Sequence, residues 1–293
     1  MKSGFINVIG RPNVGKSSII NGIIGEKIAI TTEKPQTTRT IIRGILNLDN
    51  AQLVFIDTPG IHKPHKELGK HMNKLAYSSL SGADATVLVV DASEPFGAGD
   101  QFLVDRLHYD APLFIVFNKI DLTTFPLISE LKSKYGELYP DATLIETSAI
   151  REFGFDDLVN ALLEVMPEGP EYFPRDLVSD QADEFIISEI IREKAMKLLK
   201  QELPYSVAVT IDQIEQKEKA SDIYATIVCE RNSHKGMIIG KGGQMIRKIR
   251  HQASGDIANF LAQPIRLELF VKVQPDWRND PRYFTRLGTR GED

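Results

Sequence analysis

The sequence predicts an α/β fold: a mostly parallel sheet flanked by helices over residues 1–168, then a smaller α+β domain over residues 183–293. Three observations predict it. Short β-branched and aromatic runs alternate with helical patterns as far as Met166, which implies a parallel sheet covered on both faces. Pro167, Gly169, Pro170 and Pro174 then crowd one short stretch, the signature of a linker over residues 169–182. Beyond it the order becomes helix, strand, strand, helix, Gly-rich loop, helix and strand.

Each element has a local justification. Residues 5–9 form an apolar strand that runs into a glycine-rich turn and a helix start at Lys16-Ser17-Ser18. Residues 41–48 and 52–56 are adjacent strands joined by Asp49-Asn50. Residues 86–90, 113–117 and 142–145 are strand-like runs bounded by turn or capping residues. Helical patterns separate them at residues 66–80, 99–107 and 155–165. After the linker, residues 183–203 predict a long amphipathic helix with Ile186, Ile187, Ile190, Ile191, Met196, Leu198 and Leu199 on its apolar face. Residues 206–211, 223–230 and 265–273 complete the set as three strands.

Composition narrows the class. Of 293 residues, 42% are hydrophobic and 26% charged, enough for each half to bury a core. No stretch approaches the roughly 18–20 uninterrupted apolar residues that span a bilayer. Met1-Lys2-Ser3-Gly4 leads straight into a strand pattern, with no signal-peptide architecture. The single cysteine, Cys229, excludes an intrachain disulfide and fits a reducing cytoplasm; within its strand pattern it reads as a buried structural thiol. The net charge of -5 conceals an uneven distribution. From Arg231 onward twelve Lys/Arg stand against six Asp/Glu, a local charge of +6, so an anionic partner is sought there.

Gly10-Arg11-Pro12-Asn13-Val14-Gly15-Lys16-Ser17 fits G-x-x-x-x-G-K-[ST] directly between a predicted strand and a predicted helix, the context that a P-loop requires. Gly10, Asn13, Val14, Gly15, Lys16, Ser17 and Ser18 are the expected phosphate-binding set. Backbone N–H groups wrap the phosphates, the helix N-terminus adds a favourable dipole, Lys16 reaches the β- and γ-phosphates and Ser17 ligates Mg2+. Asp57-Thr58-Pro59-Gly60 ends the strand at residues 52–56; Asp57 is expected to hold Mg2+ through water, and the Gly60 N–H to reach the γ-phosphate. Between these boxes lies Pro35-Gln36-Thr37-Thr38-Arg39, where Thr38 rather than Thr37 is expected to complete the Mg2+ shell. Loops held this way are released on hydrolysis.

Asn118-Lys119-Ile120-Asp121 names the base. A carboxylate at Asp121 accepts both donors of the guanine edge, and adenine lacks that pair. Ser148, Ala149 and Ile150, ending the next strand, complete the expected guanine site with Asn118 and Lys119. In this order the boxes resemble the TRAFAC-class GTPases, and more narrowly the Era group, over about residues 3–166. The position after Asp-x-x-Gly, a glutamine in Ras-like proteins, is Ile61 here. Intrinsic hydrolysis is therefore expected to be slow; Ras without its activator turns over at about 10⁻⁴ s⁻¹. Asn13 matches an asparagine that some related GTPases use to hold K+ beside the phosphates. Arg39 is the other group at hand, though an arginine beside such a loop is more often a solvent-exposed ion-pair partner. His62 and His65 are read as part of a mobile loop, and the acids between Asp91 and Asp100 as a solvent-exposed connection.

The C-terminal half holds Gly240-Lys241-Gly242-Gly243 between Ile-rich helical turns. With its basic flanks and element order it resembles a type II KH domain, in which this loop clamps the backbone of about four single-stranded nucleotides. Lys235, Lys241, Arg247, Lys248 and Arg250 are expected to meet phosphates beside the glycines, with Ile238, Ile239 and Ile246 as an apolar floor for bases. Arg278, Arg282, Tyr283 and Arg286 keep the same region basic, while Trp277 is read as a packing anchor before a stacking platform.

A GTPase followed by a linker and a type II KH domain resembles the Era family over nearly the whole chain. That resemblance implies a GTP-hydrolysing switch that binds single-stranded RNA near the 3′ end of 16S rRNA and acts in 30S subunit assembly. It also implies peripheral association with the cytoplasmic face of the cell membrane. Two other readings stay open: a binding module with a passive nucleotide domain, and a signalling GTPase whose C-terminal domain binds protein.

Overall fold

The computed structural model describes residues 1–32, 34, 37–64, 66–217 and 220–281. His65, Arg282, Tyr283, Arg286 and the Pro35-Gln36 start of the switch segment lie outside the described residues. The chain divides into two compact units, the first chiefly residues up to Asp180 and the second chiefly residues from Gln181 onward.

In the first unit six strands form one sheet: β1 (Lys2–Gly10), β2 (Ile42–Leu48), β3 (Ala51–Asp57), β4 (Ala85–Asp91), β5 (Leu113–Asn118) and β6 (Thr143–Glu146). Their order is β2-β3-β1-β4-β5-β6, and only β2 runs antiparallel to its neighbour. The helices are α1 (Lys16–Ile24), α2 (Glu67–Ser78), α3 (Ala98–Val104), α4 (Phe125–Leu138) and α5 (Phe155–Val165). One buried cluster joins Ala76 of α2, Leu103 of α3 and Ile128, Leu131 and Tyr135 of α4 to alternate strand residues such as Ile9, Leu88, Ile115 and Phe117. Helix α1 packs against α5 and strands β1 to β3. Parallel strands bring their carboxyl ends to one edge, where such sheets bind ligands. That edge gathers Gly10, Asp57, Asp91 and Asn118.

The strand and helix boundaries differ from the sequence expectations by a few residues at most positions. The connection from β5 to β6 contains α4, which the periodicity had not brought out. The stretch expected as a linker, residues 169–182, is not a free strand of chain over its later part. Ile45 N–H donates to Val178 O at 2.9 Å, Ser179 Oγ to Arg43 O at 2.8 Å, and Asn47 Nδ2 to Leu177 O at 3.1 Å. These bonds fasten it along β2, which would otherwise be an open edge.

The second unit begins with α6 (Asp183–Leu198), shorter than the 183–203 helix expected because the backbone turns extended at Leu199; a short 3-10 turn, Leu203–Ser206, follows. Then follow β7 (Ala208–Gln216), β8 (Ser221–Cys229), α7 (Asn232–Ile239), α8 (Gln244–Phe260) and β9 (Ile265–Val273). The sheet order is β7-β8-β9, antiparallel then parallel. Helix α6 packs on α8 and β7. Ile187, Ile191, Ile227, Ile249, Ile257 and Trp277 are fully buried. The Trp277 indole N–H donates to Ser206 O at 3.0 Å, so this tryptophan anchors the unit and is not open to stacking. Cys229 is buried, which pushes its thiol up from the usual range.

Gln52, fully buried on β3, satisfies its whole carboxamide at the fastened segment. Its Oε1 accepts the N–H groups of Tyr172 at 2.8 Å and Phe173 at 3.0 Å. Its Nε2 donates to Phe173 O at 2.7 Å and Asn47 Oδ1 at 2.8 Å. Gln52→Leu strands two backbone donors, at a cost of about 2–4 kcal/mol. Hydrogen exchange at Tyr172 and Phe173 is expected to lose protection in this variant, with β4 and β5 unchanged.

Candidate functional site

The P-loop connects β1 to α1 and wraps Lys16, whose side chain is only 6% exposed. Its Nζ donates to Gly10 O at 3.3 Å and Arg11 O at 3.1 Å, carbonyls of the loop itself. Burial pushes the Lys16 ammonium down to about 8, an effect that the Asp57 carboxylate opposes. Asp57 in turn is pushed up by burial, against the pull of Lys16 and of hydrogen bonds from Ser17 and Thr38. The protein thus holds a buried cation beside a buried anion where nucleotide phosphates are expected.

Three oxygens meet at that spot. Ser17 Oγ lies 2.6 Å from Asp57 Oδ2 and 3.0 Å from Thr38 Oγ1, and Thr38 Oγ1 lies 3.2 Å from the same carboxylate oxygen. Asp57 Oδ1 is buried with no hydrogen-bond partner. A set of hard oxygens with one lone pair unmet fits Mg2+. The structure brings Thr38 to the other two. The Ile61 N–H donates to Gly10 O at 3.1 Å, which draws Gly60 to the P-loop. Asn13 sits in the same loop at φ 66°. Val14 is buried, while Gly15, Ser17 and Ser18 at the start of α1 are part-exposed.

The base-reading loops join this site through one side chain. Asn118 Nδ2 donates to Val14 O at 2.8 Å, and its Oδ1 accepts Ala149 N–H at 3.0 Å and Thr147 Oγ1 at 3.3 Å. Ser148 Oγ donates to Asp121 Oδ1 at 2.5 Å, so the two loops carrying the guanine boxes are latched together. Lys119 pairs with Asp91 at the end of β4. Ile150 is 85% exposed, so only its backbone belongs near the cleft.

In the second unit the Gly-x-x-Gly stretch links α7 to α8. Gly240, Gly242 and Gly243 have φ of 74°, 56° and 76°, a left-handed path closed to ordinary side chains. Lys241 projects from it, exposed, and Lys235, Lys248 and Arg250 flank it at varying exposure. Arg247 folds back, its Nη2 donating to Gly242 O at 2.7 Å, and so braces the loop. Beside the loop a cavity of about 520 Å³ opens between α8 and β9. Arg247, Arg250, His251 and Ser254 line one side, Arg266 and Glu268 the other. The Arg250–Glu268 ion pair, at 3.3 Å, crosses it.

A family model described as a 50S ribosome-binding GTPase matches residues 5–119, and one described as a KH domain matches residues 202–278. GTPase Era of Clostridium kluyveri is 44% identical over 290 residues, 98% of this chain and 99% of the relative. The chain belongs to the Era family of GTPases. GTPase Era of Clostridium tetani is 43% identical over 292 residues, 99% of each chain. The Era likeness extends to the fold. A crystal structure of Era in complex with MgGDPNP and nucleotides 1506–1542 of 16S ribosomal RNA matches with a TM-score of 0.93 at 36% identity, over 98% of each chain. A variant of Aquifex aeolicus Era bound to GDP·AlF4− matches with a TM-score of 0.92 at 35% identity, over 98% of this chain and 99% of that one.

Several expectations need correction within this Era frame. Ile238 is fully buried in the α7 core and offers no floor to a base; Ile239 and Ile246 remain half-buried. Arg39 is 5% exposed, so it is no surface ion-pair partner. The connection from Asp91 to Asp100 is not simply solvated: of its three acids Asp91 and Asp100 are buried and Glu94 is exposed. His62 is held, its ring on Gly60 O at 2.9 Å and its backbone carbonyl taking Asn73 Nδ2 at 2.7 Å. Arg266 and Glu268, on the far side of the groove, were not singled out, because period-two spacing alone does not say which face of β9 meets α8.

Phosphates favour the charged form of Lys16, whose free-state value stands at about 8. Above that pH, binding must take up a proton, so affinity falls as pH rises. GDP affinity is expected to be level from pH 6.5 to 7.5 and to weaken about fivefold between pH 8 and pH 9. A fluorescent-nucleotide titration in Mg2+ checks this; a level profile up to pH 9 contradicts it.

Proposed function

We propose that this chain is a GTP-hydrolysing switch whose KH domain binds single-stranded RNA, the 3′ region of 16S rRNA, during 30S subunit assembly. The full-length match to an Era structure holding both MgGDPNP and a 16S segment carries this reading. It is supported by two local constructions: the Ser17–Thr38–Asp57 oxygen cluster over Lys16, and the left-handed glycine loop opening on a basic groove.

In the nucleotide half, Lys16 and the backbone of residues 13–18 would hold the phosphates, and Ser17, Thr38 and, through water, Asp57 would hold Mg2+, which would supply positive charge to the phosphate chain. Asp121, latched by Ser148, reads the guanine edge, and Ala149 N–H lies beside it on the Asn118 scaffold. Asn13 is proposed as a K+ ligand. In the RNA half, Lys235, Lys241, Lys248 and Arg250 meet phosphates, and the groove between α8 and β9 takes bases. The domain limits proposed are residues 1–168, 169–182 and 183–293. The protein is proposed to act in the cytoplasm, with any membrane attachment peripheral. No helix among the described residues is long and apolar enough to cross a bilayer.

The test pairs a 16S 3′ oligonucleotide with protein in GTP-analogue and GDP states. RNA affinity is expected to differ between the two states and to fall with log salt at a slope near about -3, for about four neutralised phosphates. Gly242→Asp is expected to weaken RNA binding at least about tenfold and to leave GDP binding unchanged. An unaltered RNA affinity in that variant favours a protein-binding C-terminal domain. Hydrolysis is expected to run faster in potassium than in sodium buffer, and equal rates remove Asn13 from the ion-binding role.

A further inference from the structure

Arg11, the second residue of the P-loop, reaches away from the nucleotide cleft. Its Nη1 donates to Asp100 Oδ2 at 2.7 Å and its Nη2 to Glu94 Oε2 at 3.2 Å. The guanidinium lies directly on Gly99 of α3, where a Cβ would stand 2.8 Å from Arg11 Nε. Any side chain there would push it off. Asp100 is 6% exposed, and its remaining capacity is met. Oδ2 also accepts Gly97 N–H at 3.0 Å, and Oδ1 accepts the Tyr135 hydroxyl at 3.3 Å. Tyr135 is buried on α4, edge-on to Phe117 at 5.8 Å and to Phe96 at 5.5 Å. Phe117 directly precedes Asn118, the side chain that joins the guanine boxes to Val14.

The contacts thus close a ring from Arg11 through Asp100, Tyr135 and β5 back to the P-loop. The Arg11 carbonyl is one of the two that hold Lys16. A planar fork spanning two carboxylates fixes a backbone more firmly than a point charge does. Its charge is neutralised by its partners, so it is not aimed at phosphates.

We propose that Arg11 is a positioning residue for GTP hydrolysis, clamped by Asp100 so that the P-loop from Gly10 to Asn13 holds its catalytic register. This rests on the GTPase reading above. The clamped residues lie at the end of the loop that includes Asn13, whereas the guanine boxes are tied to its other end, at Val14 through Asn118, and to each other through Ser148. Loss of the clamp should therefore act on turnover more than on nucleotide binding. A misplacement of about 1 Å can cost about 10²-fold in rate.

The experiment uses the full chain in potassium buffer, with GTP turnover and GDP binding measured for Arg11→Gln, Arg11→Lys, Asp100→Asn and the double variant Arg11→Gln/Asp100→Asn. Each single change is expected to lower kcat about tenfold or more, with KM and GDP affinity within about threefold. Lysine is expected to recover only part of the loss, since it cannot span two carboxylates. The double variant is expected to be no slower than the slower single, because both remove one interaction. Unchanged kcat in Arg11→Gln, a loss confined to KM, full recovery by Arg11→Lys, or multiplied losses in the double variant would each overturn the proposal. If Asp100→Asn does not fold, the two Arg11 variants decide the matter, since Arg11 is part-exposed. A parent protein without turnover refutes the GTPase reading instead, so the two failures are distinguishable.

Discussion

Asn118 divides one carboxamide between two other segments: Val14 of the P-loop on its donor side, and Thr147 and Ala149 of the loop after β6 on its acceptor side. Without it the phosphate loop and the two guanine loops would be separate turns at the ends of separate strands. The side chain is 1% exposed, so each bond is made in a setting where a missing partner is costly. Parallel pairing delivers the segments to one edge, but pairing alone leaves loops free to drift by ångströms. The carboxamide removes that freedom. Cleft geometry in the first unit follows from it, with the Ser148–Asp121 latch and the Lys119–Asp91 pair fixing what remains.

The same enclosure sets the electrostatics. Lys16 and Asp57 are both buried, and burial moves each toward its neutral form. Lys16 donates to two loop carbonyls, which are weaker partners for an ammonium than phosphate oxygens are. Asp57 Oδ1 has no hydrogen-bond partner among the described residues. Nucleotide and Mg2+ supply the charges that this arrangement lacks, so binding relieves a cost already present in the fold. A site arranged in this way selects for a charged phosphate chain rather than for any ligand of the right shape.

How much of this was legible in the sequence depended on whether a feature is contiguous. The P-loop, Asp57 to Gly60, Asn118 to Asp121 and the Gly240 to Gly243 turn are short runs whose backbone must take one path, so residue identity alone marks them. The segment offers two adjacent threonines that residue identity does not separate; the Thr38 oxygen is the one that lies with Ser17 and Asp57. Features that depend on which face turns inward were less legible. The pair Ile238-Ile239 looks uniform in sequence, yet the 3.6-residue period buries the first and half-exposes the second. The hold of Gln52 on residues 172 and 173, the Arg266 wall of the groove, and the burial of Asp91 and Asp100 all join residues distant along the chain. No local pattern encodes such contacts.

Ile61 shows why the missing glutamine is a property of the fold and not a simple omission. The side chain is 1% exposed and packs with Ala76, Leu88 and Val90, while its N–H is bonded to Gly10 O. A glutamine placed there would bury an amide without partners, at about 1–3 kcal/mol, or would pull the switch box off the P-loop to reach solvent. Either outcome damages the contact that draws Gly60 to the P-loop. The position is therefore committed to packing, and water cannot be oriented from it. On the proposed reading, hydrolysis then depends on the first half of the P-loop, which carries Asn13 and, through the Arg11 carbonyl, holds Lys16. That places the weight of catalysis on how rigidly the first half of the P-loop is held, and Asp100 is the buried group in reach of it.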